Sequence, residues 1–148
     1  MVAAEPGTLL GFDFGEKRIG VAVGETITGI AHPLMAIDAE ANDRRFAEVE
    51  KIIGDWKPTG LIVGRPRHAD GAEHPIARLA EKFGRRLAER FRLPVSFVDE
   101  TLSSATAQAQ LREQHASVRA RQDVDALAAT IILQSYLDNP ADSVPLRT

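Results

Sequence analysis

The chain has 148 residues, of which 44% are hydrophobic and 26% are charged, and its formal net charge is −3. This size and composition suit a single globular domain, residues 1–148, and the negative charge excludes a uniformly basic nucleic-acid binder. The absence of cysteine excludes disulfides, thiolate zinc sites and cysteine nucleophiles. The longest apolar stretch, residues 126–133, is much shorter than the about 20 residues that span a bilayer. We therefore expect a cytoplasmic protein with no membrane segment.

The first third of the chain has the pattern of three β-strands. Thr8–Phe14 is a short apolar run that ends at a glycine, and a second β-rich run at 19–25 follows after a four-residue turn, so the two predict a hairpin. A third strand is predicted at 31–37, where Pro33 favours a position at the edge of a sheet.

Helical and extended patterns then alternate. A helix is predicted at 42–57, capped by Asn42 or Asp43, followed by a strand at 60–64 and a polar loop at 65–73. A second helix at Pro75–Phe91, a strand at 95–100, a polar helix at 103–114 and a basic loop at 115–122 come next. The chain then has a buried helix at 123–137, capped by Asp123, and a flexible tail at 138–148. This order predicts a mixed α/β sheet with helices on both faces.

Three acidic residues interrupt or end otherwise apolar elements, where an unpaired charge is costly. They are Asp13 in the first strand, Glu100 at the end of the strand at 95–100, and Asp125 in the first turn of the last helix. Taken singly, each also has a structural explanation, as a turn former, a solvated strand end or a complement to the helix dipole. Sites in α/β sheets form at the carboxyl ends of strands, so the three could converge there. Without cysteine or paired histidines, such a cluster favours Mg²⁺ or Mn²⁺ and phosphodiester chemistry.

Basic residues are concentrated between positions 65 and 92, where eight arginines and lysines stand against four acids. This local excess favours contacts with phosphate groups. The alternative is a solvated helix face with ion pairs such as Glu81 with Arg85. Arg86 and Arg90, however, are like charges at the same spacing and do not stabilise a helix.

Four sequence blocks, in the same order, resemble the YqgF family, a Holliday-junction-resolvase-like group associated with processing of precursor 16S rRNA. The blocks are GTLLGFDFGEKRIGVAVGE, LIVGRPRHADG, VSFVDETLSS and DVDALAATIILQSYL. Together they extend from about residue 8 to residue 137. The resemblance implies a ribonuclease H-like fold, with a five-stranded mixed sheet whose first three strands are antiparallel and whose two faces are flanked by helices.

The resemblance also implies the roles of individual residues. Asp13, Glu100 and Asp125 would be the catalytic carboxylates and would bind Mg²⁺ or Mn²⁺. Lys17 and Arg18, in the first hairpin turn, would contact the nucleic-acid backbone.

Some positions depart from the family pattern. The usual GLP-x-N-x-DG loop reads GRPRHADG at 64–71, and the usual Asp-Glu-Arg reads Asp-Glu-Thr at 99–101, so a basic side chain beside the catalytic glutamate is missing. Asp123 stands close to where relatives often carry a lysine. Arg65 or Arg67 could compensate by contacting the nucleic acid. The departures leave the carboxylates intact and affect substrate handling.

The resemblance implies a metal-dependent nuclease that trims the 5′ end of precursor 16S rRNA in the cytoplasm, either on free RNA or on the ribosome. One alternative with the same chemistry is the resolution of four-way DNA junctions, because a fold does not determine the substrate. A second is a non-catalytic RNA-binding module. A third is a nucleotide phosphotransferase, suggested by Asp13-Phe14-Gly15 before a hairpin, but the chain has no room for the second lobe of such enzymes.

Overall fold

The computed structural model describes residues 7–67, 75–101 and 118–146, apart from the side chains of Arg67, Glu100, Thr101 and residues 118–122. The strands are β1 (Thr8–Phe14), β2 (Arg18–Glu25), β3 (Ile30–Asp38), β4 (Gly60–Arg67), β5 (Val95–Thr101) and β6 (Val144–Pro145). The helices are α1 (Asn42–Trp56), α2 (Pro75–Phe91) and α3 (Val118–Asp138), followed by a 3-10 turn at Pro140–Asp142. The helix predicted at 103–114 lies outside the described residues.

The described strands form one mixed sheet in the order β3-β2-β1-β4-β5-β6. β1 pairs antiparallel with β2, and β2 with β3, whereas β1, β4 and β5 run parallel to one another. The parallel strands therefore end at one edge of the sheet, here called the carboxyl edge, where the turn between β1 and β2 also lies. The predicted mixed sheet is confirmed, and Pro33 lies on the edge strand β3 as expected.

The two faces of the sheet carry residues of very different size. One face packs against α1 and α2 through large apolar side chains, among them Leu10, Phe12, Phe46, Phe83 and Phe97. The other face packs against α3. None of the helices in the described ranges is both long and apolar enough to cross a membrane.

Glycines let α3 lie directly on the sheet. A Cβ atom at Gly11 would lie 2.7 Å from the Cβ of Leu133, and a Cβ at Gly20 would overlap the backbone carbonyl of Asp125. Only glycine leaves room for this approach, because any other residue would place a side-chain carbon between strand and helix. The close contact sets the position of α3 relative to β1 and β2.

Two predicted helix starts differ from the structure. α3 begins at Val118, so Asp123 is not its N-cap and Asp125 does not lie in its first turn. Arginine, alanine and glutamine at 119–122 are good helix formers, and their intrinsic preference outweighs the loop-like charge pattern. The N-cap of α1 is Ala41 rather than Asn42 or Asp43, because the Ala41 carbonyl accepts the first hydrogen bond of the helix, from the Arg45 N–H. Alanine has no polar side chain, so α1 has no side-chain cap hydrogen bond.

The sheet has six strands rather than the five predicted. Val144–Pro145 pairs antiparallel with β5, and the Leu146 N–H donates to the Val95 carbonyl at 2.8 Å. Part of the tail predicted to be flexible thus covers an edge of β5 that would otherwise present unpaired backbone groups. A two-residue strand that includes a proline has no alternating pattern, so sequence analysis does not detect it.

Candidate active site

Asp13 lies near the carboxyl edge, on the sheet face that α3 covers. Leu9 packs in the cluster formed with α3, and Gly11 lies against Leu133. Alternation along β1 places Asp13 on the same face as these two residues. Its partner in register on β2 is Gly20. The half-buried Asp13 carboxylate therefore belongs to the interface between sheet and helix.

Asp125 reaches the same place from α3. The backbone of Asp125 lies against Gly20, so Asp13 and Asp125 flank a single glycine. The Arg18 Nε atom donates a hydrogen bond to the Asp125 Oδ2 atom at 2.6 Å, and the two side chains are 24% and 23% exposed. Arg18 lies two residues before Gly20 on β2 and so shares its face. The fold thus brings two predicted carboxylates and one predicted nucleic-acid contact into one site.

Glu100 lies on β5 at the carboxyl edge, where it pairs in register with Pro66 of β4. Glu100 stands two residues after Val98, which packs against the apolar cluster under α3. The Glu100 side chain lies outside the described part of the structure, so its role as a ligand stays a prediction. Among the side chains that are described, no three histidines or acids form a group suited to hold a metal ion.

The turn between β1 and β2 is held by Arg45, which the sequence analysis did not single out. This α1 side chain is buried, with 3% exposure. Its Nε donates to the Ala39 carbonyl at 2.5 Å, and its Nη2 donates to the carbonyls of Gly15 at 2.7 Å and Glu16 at 2.5 Å. Burial lowers the pKa of Arg45, and the nearby carboxylates of Glu40 and Glu16 oppose that shift.

Arg45 therefore ties α1 to the turn that carries the exposed Lys17 and leads into Arg18. Its guanidinium also lies 5.4 Å from the ring centroid of Phe14. A signal was available in the sequence, since Arg45 stands four residues before the buried Val49 on the apolar stripe of α1.

Arg65 lies on the opposite face from the carboxylate pair. Its Nε and Nη2 donate to the Asp99 carboxylate at 2.5 and 3.2 Å, and its Nη1 donates to Glu81 Oε1 at 3.2 Å. The hydrogen bonds that Arg65 donates to the Asp99 carboxylate raise the pKa of Arg65, while burial opposes this shift. The guanidinium also lies 5.5 Å from the Phe97 ring centroid. A role of Arg65 in nucleic-acid binding stays a prediction. The same holds for Arg67, whose side chain lies outside the described part of the structure.

Comparisons with known proteins agree with the fold. The family model RuvX, described as "Holliday junction resolvase", matches residues 7–139. Two relatives carry the name "Putative pre-16S rRNA nuclease", from Dechloromonas aromatica and Methylobacillus flagellatus. Each is 54% identical over 140 residues, covering 94% of this chain and 96% of the relative.

Among solved structures, T. thermophilus RuvC in complex with a Holliday junction substrate is similar to this chain, with a TM-score of 0.55. The sequence identity is 17%, and the alignment covers 95% of this chain and 99% of RuvC. At this identity the likeness concerns the fold, and it confirms the ribonuclease H-like architecture expected from the sequence.

Proposed function

Because this chain belongs to the RuvX family and is a nuclease, we propose that it hydrolyses phosphodiester bonds of precursor 16S rRNA near the mature 5′ end. The observation that carries this proposal is that Asp13 and Asp125 both lie next to Gly20, at the edge where Arg18 also lies. The RNA substrate is inferred from the names of the two relatives that are 54% identical.

The donor set fits a divalent cation. Asp13 and Asp125 offer only carboxylate oxygens. The backbone of Glu100 lies at the same edge, so its side chain would add a third carboxylate. Oxygen-only sites of this kind suit Mg²⁺ and Mn²⁺. The site already accommodates one positive group, since the Arg18 guanidinium pairs with Asp125. When bound, a divalent cation would supply stabilisation of the negative charge that develops on the attacking and leaving oxygens.

The basic residues of the turn would handle the RNA backbone. Lys17 is exposed, and Arg18 is half-buried beside Asp125. Charged donors of this kind form strong hydrogen bonds with phosphate oxygens and fix the register of a nucleic acid. Arg45 would act indirectly, because its hydrogen bonds to the carbonyls of Gly15 and Glu16 fix the backbone just before Lys17.

A four-way DNA junction is the second candidate substrate. The description of the matching family model names a Holliday junction resolvase, which favours it. RNA is preferred because the relatives at 54% identity carry an RNA-directed name, whereas the RuvC complex shares 17% identity.

A cleavage assay tests the proposal. The purified chain would be incubated with end-labelled precursor RNA that spans the mature 5′ end of 16S rRNA, and in parallel with a labelled four-way DNA junction, each with Mn²⁺, Mg²⁺ or EDTA. We expect metal-dependent RNA cleavage that falls by about 100-fold or more in Asp13→Asn, because loss of one charged ligand removes several kcal/mol of transition-state stabilisation.

The matched control is Asp55→Asn, which changes an exposed acid on α1. This variant should cleave the RNA like the wild type. Cleavage of the junction but not of the RNA would replace the proposed substrate by DNA. Equal cleavage by Asp13→Asn and the wild type would refute the proposed site.

A further inference from the structure

α2 is strongly basic, although the chain as a whole is acidic. Its seventeen residues include five arginines and lysines and two glutamates. α1, which packs on the same face of the sheet, has three basic and four acidic residues, and one of the basic residues is the buried Arg45. The two neighbouring helices therefore present opposite charge to solvent.

The cations of α2 form a row on its solvent side. Arg78, Lys82 and Arg85 are exposed, and Arg86 is half-buried. Arg90, at the far end, is exposed but lies 5.1 Å from the ring centroid of Phe46 on α1. The spacing of three to four residues places them along one side of the helix. Like charges at this spacing weaken a helix, so the row is not explained by helix stability.

The two glutamates of α2 neutralise only part of this row. Glu81 is turned to Arg65 of β4, at 3.2 Å between Oε1 and Nη1. Glu89 is exposed and follows Arg85 by four residues and Arg86 by three, so it lies beside these cations on the same side of the helix. Lys82, Arg85 and Arg86 therefore keep an excess of positive charge toward solvent.

The row begins near the carboxyl edge of the sheet. Glu81 contacts Arg65, whose partner Asp99 lies toward the end of β5, whereas Gly84, one turn later, lies against Phe97 and Val95. α2 therefore runs back along the sheet from the edge that carries the candidate active site. From Arg78 to Arg90 the row extends about 18 Å, at about 1.5 Å per residue.

We propose that this cationic row of α2 binds the phosphate backbone of the RNA substrate on the sheet face opposite the candidate active site. The inference rests on the proposed function and adds a second contact surface outside the carboxylate site. RNA is favoured over an acidic protein because the large apolar side chain exposed on α2 is Leu79 alone, at 39%. Phosphate contacts need only charged donors, whereas protein interfaces depend on buried apolar or aromatic anchors.

Neutralising the row tests the inference. The test variant is the triple Lys82→Gln, Arg85→Gln and Arg86→Gln, and the control triple removes the same charge from and just after α1, with Arg44→Gln, Lys51→Gln and Lys57→Gln. Affinity for fluorescently labelled precursor RNA would be measured by anisotropy in EDTA between 50 and 200 mM salt. Circular dichroism would establish that both full-length variants are folded.

We expect the α2 triple to bind the RNA about 100-fold more weakly at about 0.1 M salt, and the slope of log affinity against log salt to fall by about 2. The control triple should lose less than about threefold. The inference is overturned if the two triples lose affinity equally. It is also overturned if the α2 triple binds RNA like the wild type, which would leave an acidic protein as the partner of this face.

Binding in EDTA is independent of cleavage, so the two proposals fail separately. A chain that binds RNA through α2 but cleaves none would retain the inference and contradict the proposed nuclease substrate. If cleavage depends on Asp13 but RNA affinity does not depend on the cations of α2, the proposed nuclease stands and the inference about α2 is overturned.

Discussion

The two faces of the central sheet use opposite kinds of residue. The face under α1 and α2 is filled by large side chains, and the Phe83 ring lies 5.3 to 5.8 Å from three other phenylalanine rings. The face under α3 has Gly11 and Gly20 where the helix approaches, and it carries Asp13 and the Arg18–Asp125 pair at its end. The same strands supply both faces, since alternate residues point in opposite directions.

This difference separates stability from chemistry within one sheet. Burial of large apolar side chains supplies most of the free energy of folding, and that burial is concentrated on the face of α1 and α2. The other face buries a smaller apolar cluster, and its close backbone contact sets where Asp125 stands relative to Asp13. Substitutions on the two faces should therefore affect unfolding and catalysis in different proportions.

The largest effect on stability is expected from Phe83→Ala. This side chain is 4% exposed and packs against the rings of Phe12, Phe14 and Phe46. Its truncation should lower the free energy of unfolding by about 3–5 kcal/mol, measured by urea denaturation. Leu79→Ala, on the exposed side of the same helix, is the control and should cost less than about 1 kcal/mol. A similar cost for both would mean that this face is not the stabilising one.

Arg45→Met should lower the free energy of unfolding by about 2–4 kcal/mol. The change removes the donors to three backbone carbonyls while roughly preserving side-chain volume, and groups left without partners carry a desolvation cost. Because two of these carbonyls belong to the β1–β2 turn, its amide protons should also exchange faster. Arg44→Met is an exposed neighbour and should be nearly neutral. Unchanged exchange at the turn would contradict the positioning role of Arg45.

Gly20→Ala should cost less stability, about 1–3 kcal/mol, but should reduce metal-dependent RNA cleavage strongly. The added Cβ meets the backbone of Asp125, so α3 must shift away from the sheet and the two carboxylates must separate. Gly54→Ala is the matched control, because a Cβ there meets nothing within 4 Å and an exposed helical glycine gains up to about 1 kcal/mol on this change. Full activity in Gly20→Ala would show that the close contact does not position the site.

The smallest effect on stability is expected from Arg18→Gln, which should instead change metal affinity. The Arg18 guanidinium pairs with the Asp125 carboxylate, which is a proposed ligand of the divalent cation, so the two cations would compete for it. Removing the guanidinium should tighten Mn²⁺ binding about threefold to tenfold, since a partly exposed ion pair contributes about 1 kcal/mol. Calorimetric titration of the RNA-free protein measures this, with Arg44→Gln as the control. Weaker Mn²⁺ binding in Arg18→Gln would mean that Arg18 supports the cation site rather than competing with it.

Sequence analysis located β1 and α2 at their observed bounds because their patterns are local. Thr8–Phe14 has a buried run ended by a glycine, and Pro75–Phe91 has apolar residues at helical spacing. It misplaced the start of α3 because charge pattern and helix preference disagree over 118–122. It missed β6 because pairing with β5, rather than any pattern of its own, makes Val144–Pro145 a strand.

The candidate site shows the same division. Asp13 and Asp125 could be singled out because a charge within an apolar element is costly and calls for a partner. That the partner of Asp125 is Arg18 could not be inferred, since the two residues are 107 positions apart. The contact of Arg45 with the β1–β2 turn could not be inferred for the same reason, since Arg45 and Gly15 are 30 positions apart.

By itself the sequence determined the class of fold, the family, and the residue types that could hold a cation, because periodicity, composition and motif order are properties of neighbouring residues. Only the tertiary structure decided which residues meet: that α3 rests on Gly20, that Arg18 pairs with Asp125, and that Arg65 turns to Asp99 on the other face. The physical reason is that these contacts depend on strand register and on how closely a helix packs. Both are set by many distant residues together.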